Sequence, residues 1–170
     1  VGSILVRTAP HFHAKFALFD PTGDEPRGII STCNLTLDAM RGNNVELALT
    51  MSTQEVRSVF NQFVHGFWAE SGHELLVKGT LNAIGRKDVV TDVLDHVDHL
   101  CTVHDKRTLL EAVNDLVRSA KRSLTIGSWT IEPDHPITAE IEAAAQKGVK
   151  VTVLTRPKEI NTQTAIRLAK

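Results

Sequence analysis

Two hydrophobic rhythms alternate along the chain. Phe12 to Phe19 is apolar-rich with a period of two, and Gly28 to Thr32 is a second β-rich run. The turn-forming cluster Pro21-Thr-Gly-Asp-Glu-Pro lies between them, so the pair predicts a hairpin. Gly2 to Arg7 predicts a short strand broken by Pro10, Leu35 to Arg41 a short helical piece, and Val45 to Met51 a further strand. From about Gln54 to Trp68 the period becomes helical, with Val56, Val59, Phe60, Phe63 and Phe67 in a stripe and Ser52 or Thr53 placed to cap it. That stripe reads as core, not as a cofactor box.

From Ser71 to Asp105 the chain has little period and reads as a connector, with a short helix over Val89 to Leu94. Beyond it the rhythm returns. Lys106 to Arg122 predicts an amphipathic helix and Ser123 to Ser128 a strand. Pro136 to Lys147 predicts a helix stopped by Gly148 at the C′ position. Val149 to Leu154 is a β-branched strand, and a helix starts at Asn161. Strand, helix, strand, helix begins an α/β unit with a parallel sheet. The expected fold class is therefore α/β, a mixed β-sheet flanked by helices.

Composition narrows the function classes only a little. At 170 residues the chain suits one core, and 42% hydrophobic with 23% charged residues is ordinary globular composition. The net charge of −1 lacks the basic surplus of a non-specific nucleic-acid binder, although a locally basic cleft fits within a neutral total. No run approaches the roughly 18 apolar residues of a membrane span, and no signal-peptide pattern opens the chain. Cys33 and Cys101 do not suggest a disulfide framework, so a cytoplasmic location is expected. The chain opens on Val1, which suggests a piece of something longer.

The sharpest chemical feature is His13-Ala-Lys15-Phe-Ala-Leu-Phe-Asp20 followed by Thr32-Cys-Asn34. Metal-free displacement at phosphorus needs a nucleophile that is neutral near pH 7, which imidazole is. It needs positive charge and donors on the phosphoryl oxygens, which Lys15 and Asn34 supply. It also needs an acid for the leaving oxygen, and none is visible. An isolated His-x-Lys on a strand is ordinarily just solvated; the neighbouring residues change that balance.

Those neighbours resemble the phospholipase D superfamily. The intervals read H-x-K-x4-D and then T-x-N; Asn34-Leu-Thr follows its strand as in the family's G-[ST]-x-N-[LF]-T. Asn43-Asn-Val-Glu46 is similar to the family's N-x-E step, and Phe63 to Trp68 to its F-x4-W close. Ser31 stands where the family usually has Gly, and the Pro21 to Arg27 turn is longer than the common spacing. These departures bear on backbone detail. The second half is also similar. Ala120-Lys-Arg-Ser-Leu-Thr-Ile-Gly-Ser-Trp129 is like the opening strand of such a repeat, and Ala143 to Leu154 is like its helix, Lys-Gly-Val, strand step.

The order is inverted. Residues 1–70 correspond to the catalytic half of one repeat, 71–106 to a connector, and 107–170 to the start of a following repeat. The chain is expected to be either a fragment across two tandem repeats, the preferred explanation, or a permuted domain closed by its two halves.

The resemblance implies a phosphodiester hydrolase or transferase acting through a covalent phosphohistidine, with no cofactor and no metal. His13 would be nucleophile or general acid. Lys15, Thr32 and Asn34 would bind the substrate phosphate, Glu46 would fix the tautomer of His13, and Asp20 would be structural. The partners implied are a phosphodiester, nucleic acid or phospholipid, and a second H-x-K motif in cis or from a homodimer. The alternative is a catalytically incomplete phosphate-binding module of a larger nucleic-acid or repair protein.

Other constellations weigh less. His96-x2-His99-x-Cys101-x2-His104, with Asp95, Asp98 and Asp105, has zinc-type ligands but no zinc-site spacing, and a solvated connector is the better account. His11 alternates with His13 on one face. His65 and His73 read as surface residues near a helix end. Trp68 and Trp129 read first as core, although either could stack on a base or line a lipid groove. Arg156 follows a parallel strand's carboxyl end, where α/β folds place ligands.

Overall fold

The computed structural model describes residues 4–76, 79–85, 101–102 and 107–168. The chain divides into two compact units, Val1–His99 and Leu100–Lys170. It is mixed α/β, with small sheets flanked by helices. The mixed character arises differently from the single sheet expected. Among the described residues, two antiparallel three-stranded sheets lie in the first unit and a parallel pair lies in the second.

In the first unit, β2 (Phe16–Phe19), β3 (Arg27–Ser31) and β4 (Ala48–Met51) form one sheet in that order. The register pairs Phe16 with Ile30 and Ile30 with Leu49, and likewise Leu18 with Gly28 and Gly28 with Met51. Paired residues share a face, so these six positions lie on one side of the sheet. Helix α2 (Thr53–His65) packs there and buries Val56 and Val59. Gly28 is required by that contact. A Cβ at this position would lie 2.7 Å from Met51 Cε and 3.0 Å from both Leu18 Cδ2 and Val56 Cγ2. The start of α2 is a capping box: the Ser52 hydroxyl accepts from Glu55 N, and the Glu55 carboxylate accepts from Ser52 N at 2.6 Å. The aromatic stripe of the sequence is realised as a chain of ring contacts, Phe12–Phe16–Phe63, with Phe60 and Phe67 on either side of Phe63.

Helix α2 runs on into a π-helical turn, Gly66–Glu70. Two expectations change here. His65 is buried at 5% exposure, beside Glu70 at 3.6 Å, rather than on the surface, because the chain continues past it as a π-helical turn instead of ending there. Part of the expected connector is a hairpin. Strands β5 (His73–Leu75) and β6 (Leu81–Ala83) add to β1 (Arg7–Thr8) in the order β1-β5-β6, and His73 is an exposed strand residue. The organiser is Arg7. It faces Glu74 across the ladder, meets its carboxylate at 2.8 Å, donates to the Phe67 carbonyl, and lies over the rings of Phe67 and Trp68. The short helix expected over Val89 to Leu94 lies outside the described residues, as do His96, His99 and His104.

The second unit follows its sequence closely. Helix α3 (Thr108–Ser119), strand β7 (Ser123–Ser128), helix α4 (Pro136–Gln146), strand β8 (Lys150–Thr155) and helix α5 (Glu159–Leu168) occur in that order. β7 and β8 pair in parallel from Ser123↔Lys150 to Ser128↔Thr155, and α4 is the crossover that parallel pairing needs. Pro136 opens α4 under a His135 cap, and Gly148 leaves it in the left-handed conformation, φ +87°. Val117, Ile141, Ala144 and Val149 form the core of this unit.

Candidate functional site

The β2-β3-β4 sheet gathers the motif residues at one end. β2 begins, β3 ends and β4 begins at that end, because the three strands alternate in direction. The ladder continues past the strands proper. Ser31 N donates to Lys15 O at 2.9 Å, and Thr32 N donates to Leu47 O at 3.0 Å. Lys15, Thr32 and Glu46 are thereby set on three adjacent backbones. His13 lies two residues ahead of Lys15 in the segment leading into β2, not in a helix.

Lys15 is folded onto His13. Its Nζ lies 2.9 Å from His13 Nδ1 and 3.0 Å from Nε2, and it donates to the His13 carbonyl at 2.6 Å. An ammonium carries donors only; its near-equal distance from the two ring nitrogens sets it against the imidazole, while its directed hydrogen bond goes to the His13 carbonyl. His13 is exposed and Lys15 half-buried, which leaves both open to an incoming anion.

Glu46 is held by Thr32. The Thr32 hydroxyl donates to Glu46 Oε2 at 2.5 Å and accepts from Leu47 N at 3.0 Å. Glu46 therefore bonds Thr32 rather than the imidazole of His13. Ser31 adds a second staple that its residue type alone did not announce. Its hydroxyl donates to Leu47 O at 3.1 Å and accepts from Cys33 N at 2.8 Å. A glycine at this position could make neither bond.

Asn34 is exposed, and its carbonyl starts the turn into α1 (Leu37–Met40) by accepting from Thr36 N at 2.8 Å. Its side-chain amide faces no hydrogen-bond partner among the described residues, so its donors are open. Asp20 sits at the other end of β2 in the left-handed region, φ +48°, and accepts from Gly23 N. That places it in the turn, apart from the His13 end of the sheet. Short polar side chains tolerate this conformation best.

The first unit also holds a cavity of about 400 Å³ whose walls include Leu5, Val6, Phe12, Phe63 and Phe67. Phe12 is the residue immediately before His13, but none of His13, Lys15, Thr32, Asn34 and Glu46 lines this cavity. Arg7 also reaches the cavity, but its guanidinium is committed to Glu74. Among the described residues, no three of His, Cys, Asp and Glu converge as a metal site, and no helix is long and apolar enough to cross a membrane.

No family model, curated protein or solved structure matches this chain. What can be said of its chemistry rests on the residues themselves.

Proposed function

We propose that this chain carries one half-site of a metal-independent phosphodiester hydrolase or transferase of the phospholipase D type. It acts through a covalent phosphohistidine on nucleic acid or phospholipid, in a phospholipase D-like repeat whose elements occur in permuted order. The observation that carries the reading is the convergence of His13, Lys15, Thr32 and Glu46 at one end of the β2-β3-β4 sheet, with the Lys15 ammonium within 3.0 Å of the imidazole.

The reaction divides into two displacements. A histidine ring nitrogen attacks phosphorus, the P–O bond to the leaving group breaks with its electron pair on oxygen, and a histidine of a second motif protonates that oxygen. Water or an alcohol, deprotonated by the second histidine, then attacks phosphorus. The P–N bond breaks and its electrons return to the ring. His13 fills one of these two roles. Lys15 exchanges the His13 carbonyl for a non-bridging phosphoryl oxygen, and Asn34 donates to another.

A second reading is a phosphate-binding module without turnover. It is favoured by the Thr32–Glu46 bond, which takes up the carboxylate that would fix the His13 tautomer.

The test is cleavage of bis-p-nitrophenyl phosphate in excess chelator by an assembly that presents two motifs. The expected result is turnover that chelator does not reduce and His13→Asn abolishes. Phosphate binding without turnover would select the module. Activity lost to chelator and restored by magnesium or zinc would overturn both the mechanism and the class.

A further inference from the structure

The second unit carries a separate polar and aromatic cluster. Ser128 and Thr155 are the last register pair of β7 and β8, so Trp129 and Arg156 leave the two neighbouring parallel strands side by side at their carboxyl ends. In open α/β sheets this is the edge at which ligands bind. The Arg156 guanidinium lies 3.6 Å from the centroid of the Trp129 ring, and Lys158 Nζ lies 5.2 Å from it. Trp129 is 59% exposed, contrary to the core position expected of a tryptophan at a strand end. A tryptophan left open to solvent under two cations is not a packing element.

The cations are also uncommitted. Arg118 and Arg167 of the same unit are ion-paired, to Glu140 and Glu142 respectively. Among the described residues, neither Arg156 nor Lys158 pairs with a carboxylate, so their charge is available to an external anion. The loops that carry them are fixed from below by Asn161, which is 4% exposed. Its Oδ1 accepts from Ile131 N at 2.9 Å, and its Nδ2 donates to the carbonyls of Trp129 at 3.2 Å and Arg156 at 2.8 Å. One buried amide thus ties both strand-end loops together and holds ring and guanidinium in register before any ligand arrives. Such preorganisation lowers the ordering cost of binding.

We propose that Trp129, Arg156 and Lys158 form a binding site for a nucleotide unit, a planar base that stacks on the indole–guanidinium layer with its phosphate on the two cations. A bare oxyanion would use the cations and leave the indole without a role. A neutral sugar would use the indole and leave two desolvated charges. A base with its phosphate uses both, as stacking and cationic contacts do together in single-strand binding surfaces. The source is a single strand or a free nucleotide. The site rests on the second unit alone and does not depend on the chemistry at His13.

The test is quenching of tryptophan fluorescence in the full chain, titrated with an oligothymidylate, thymidine monophosphate and inorganic phosphate. Quenching by the first two is expected, and Trp129→Ala is expected to weaken oligothymidylate binding by about 5- to 150-fold, the effect of one stacked base. Because this variant also removes the reporter, its affinity is read by anisotropy of a labelled oligothymidylate. Trp129→Phe, which keeps a stacking ring, should retain most of the affinity, so loss through misfolding is separated from loss of the site. The Arg156→Ala, Lys158→Ala double variant should remove the salt dependence, a slope of about −0.7 in log K against log salt for one neutralised phosphate on a single strand. Tighter binding of the oligonucleotide assigns a strand, and equal binding assigns a free nucleotide; either supports the site. Unchanged affinity in Trp129→Ala, absence of binding by both nucleotide probes, or inorganic phosphate binding as tightly as thymidine monophosphate would overturn it.

Discussion

The Lys15 ammonium rests against the imidazole of His13, 2.9 Å from Nδ1 and 3.0 Å from Nε2, and is anchored by the His13 carbonyl. A fixed positive charge therefore stands one contact away from any oxygen that approaches the ring. The anchor is a backbone carbonyl, not a carboxylate, so no opposing charge has to be displaced when a phosphate arrives. Charge so placed is worth most where negative charge develops during the reaction.

Lys15→Ala is expected to lower kcat of an active two-motif assembly by about 10²- to 10³-fold, the usual loss for one donor to developing charge. The unfolding midpoint should move little, because the hydrogen bonds of the Lys15 side chain are exposed and go to His13, two residues away on its own chain segment. Steady-state kinetics beside urea denaturation checks both halves of this expectation. A parallel loss of stability would show that the lysine holds the sheet end together instead.

Gly28→Ala is expected to destabilise the first unit by about 1–3 kcal/mol, the range for overpacking a filled interior. The added carbon meets three side chains at 3.0 Å or less, and Val56 is fixed in α2. Met51 has a flexible end, so Met51→Ala should relieve part of the cost. A double-mutant cycle by urea denaturation should then show coupling of at least about 0.5 kcal/mol. Additive effects would mean that the sheet and helix can separate without strain.

The pattern of what the sequence disclosed follows from the range of each interaction. The capping box Ser52-x-x-Glu55, the Pro136 start and the Gly148 stop act within four residues, so residue type and spacing suffice. The strands of the second unit are β-branched and strongly patterned, and they pair as that pattern predicts. The β5-β6 hairpin was not legible because its strands are three residues long and carry His73, Glu74 and Asn82. Its stability comes from Arg7, 67 positions away from Glu74. The candidate site shows the same division. The motif spacing brings His13, Lys15 and Thr32 together, whereas the choice of Thr32 over His13 by Glu46 depends on how three strand ends meet. Trp129 misleads for a related reason: its residue type favours burial, but its position past the end of β7 leaves it largely exposed beneath Arg156 and Lys158.

Acid should weaken the second unit. The Arg118 guanidinium holds the Glu140 carboxyl below its ordinary 4.5, and Arg167 does the same for Glu142. A carboxyl whose folded value is depressed binds fewer protons folded than unfolded. The stability that these pairs provide is therefore fully present above pH 4.5 and is lost as pH falls through the depressed values. Urea midpoints between pH 7 and pH 3 should fall below about pH 4.5, and Glu142→Gln should flatten that fall. Arg118 is more than half exposed, so solvent screens its pair and the larger share of the fall is expected from Glu142. An identical acid limb in the Glu142→Gln variant would remove this pair from the account.

The chain alone should turn over slowly or not at all unless two copies face each other. It contains one H-x-K-x4-D; His104-x-Lys106 repeats the H-x-K spacing but has Glu111 in place of the Asp, and His11 has no lysine two residues after it. General acid catalysis contributes about 10²- to 10⁴-fold, and an alkoxide leaves poorly without it. Among the groups at the His13 end of the sheet, Lys15 and Asn34 carry donors that the proposed mechanism assigns to the phosphoryl oxygens, and Glu46 is bonded to Thr32. None is placed to protonate a leaving oxygen opposite the imidazole. A two-fold axis beside His13 would supply a second imidazole from an identical surface, because an isologous interface brings the same patch from both copies. A tandem parent would supply it from its other repeat. Sedimentation velocity and a diesterase assay on one sample decide the matter. The expected outcome is activity that rises with the dimer fraction, or appears only when a second motif is joined to this chain. A monomeric preparation with enzyme-like turnover would refute the two-histidine mechanism.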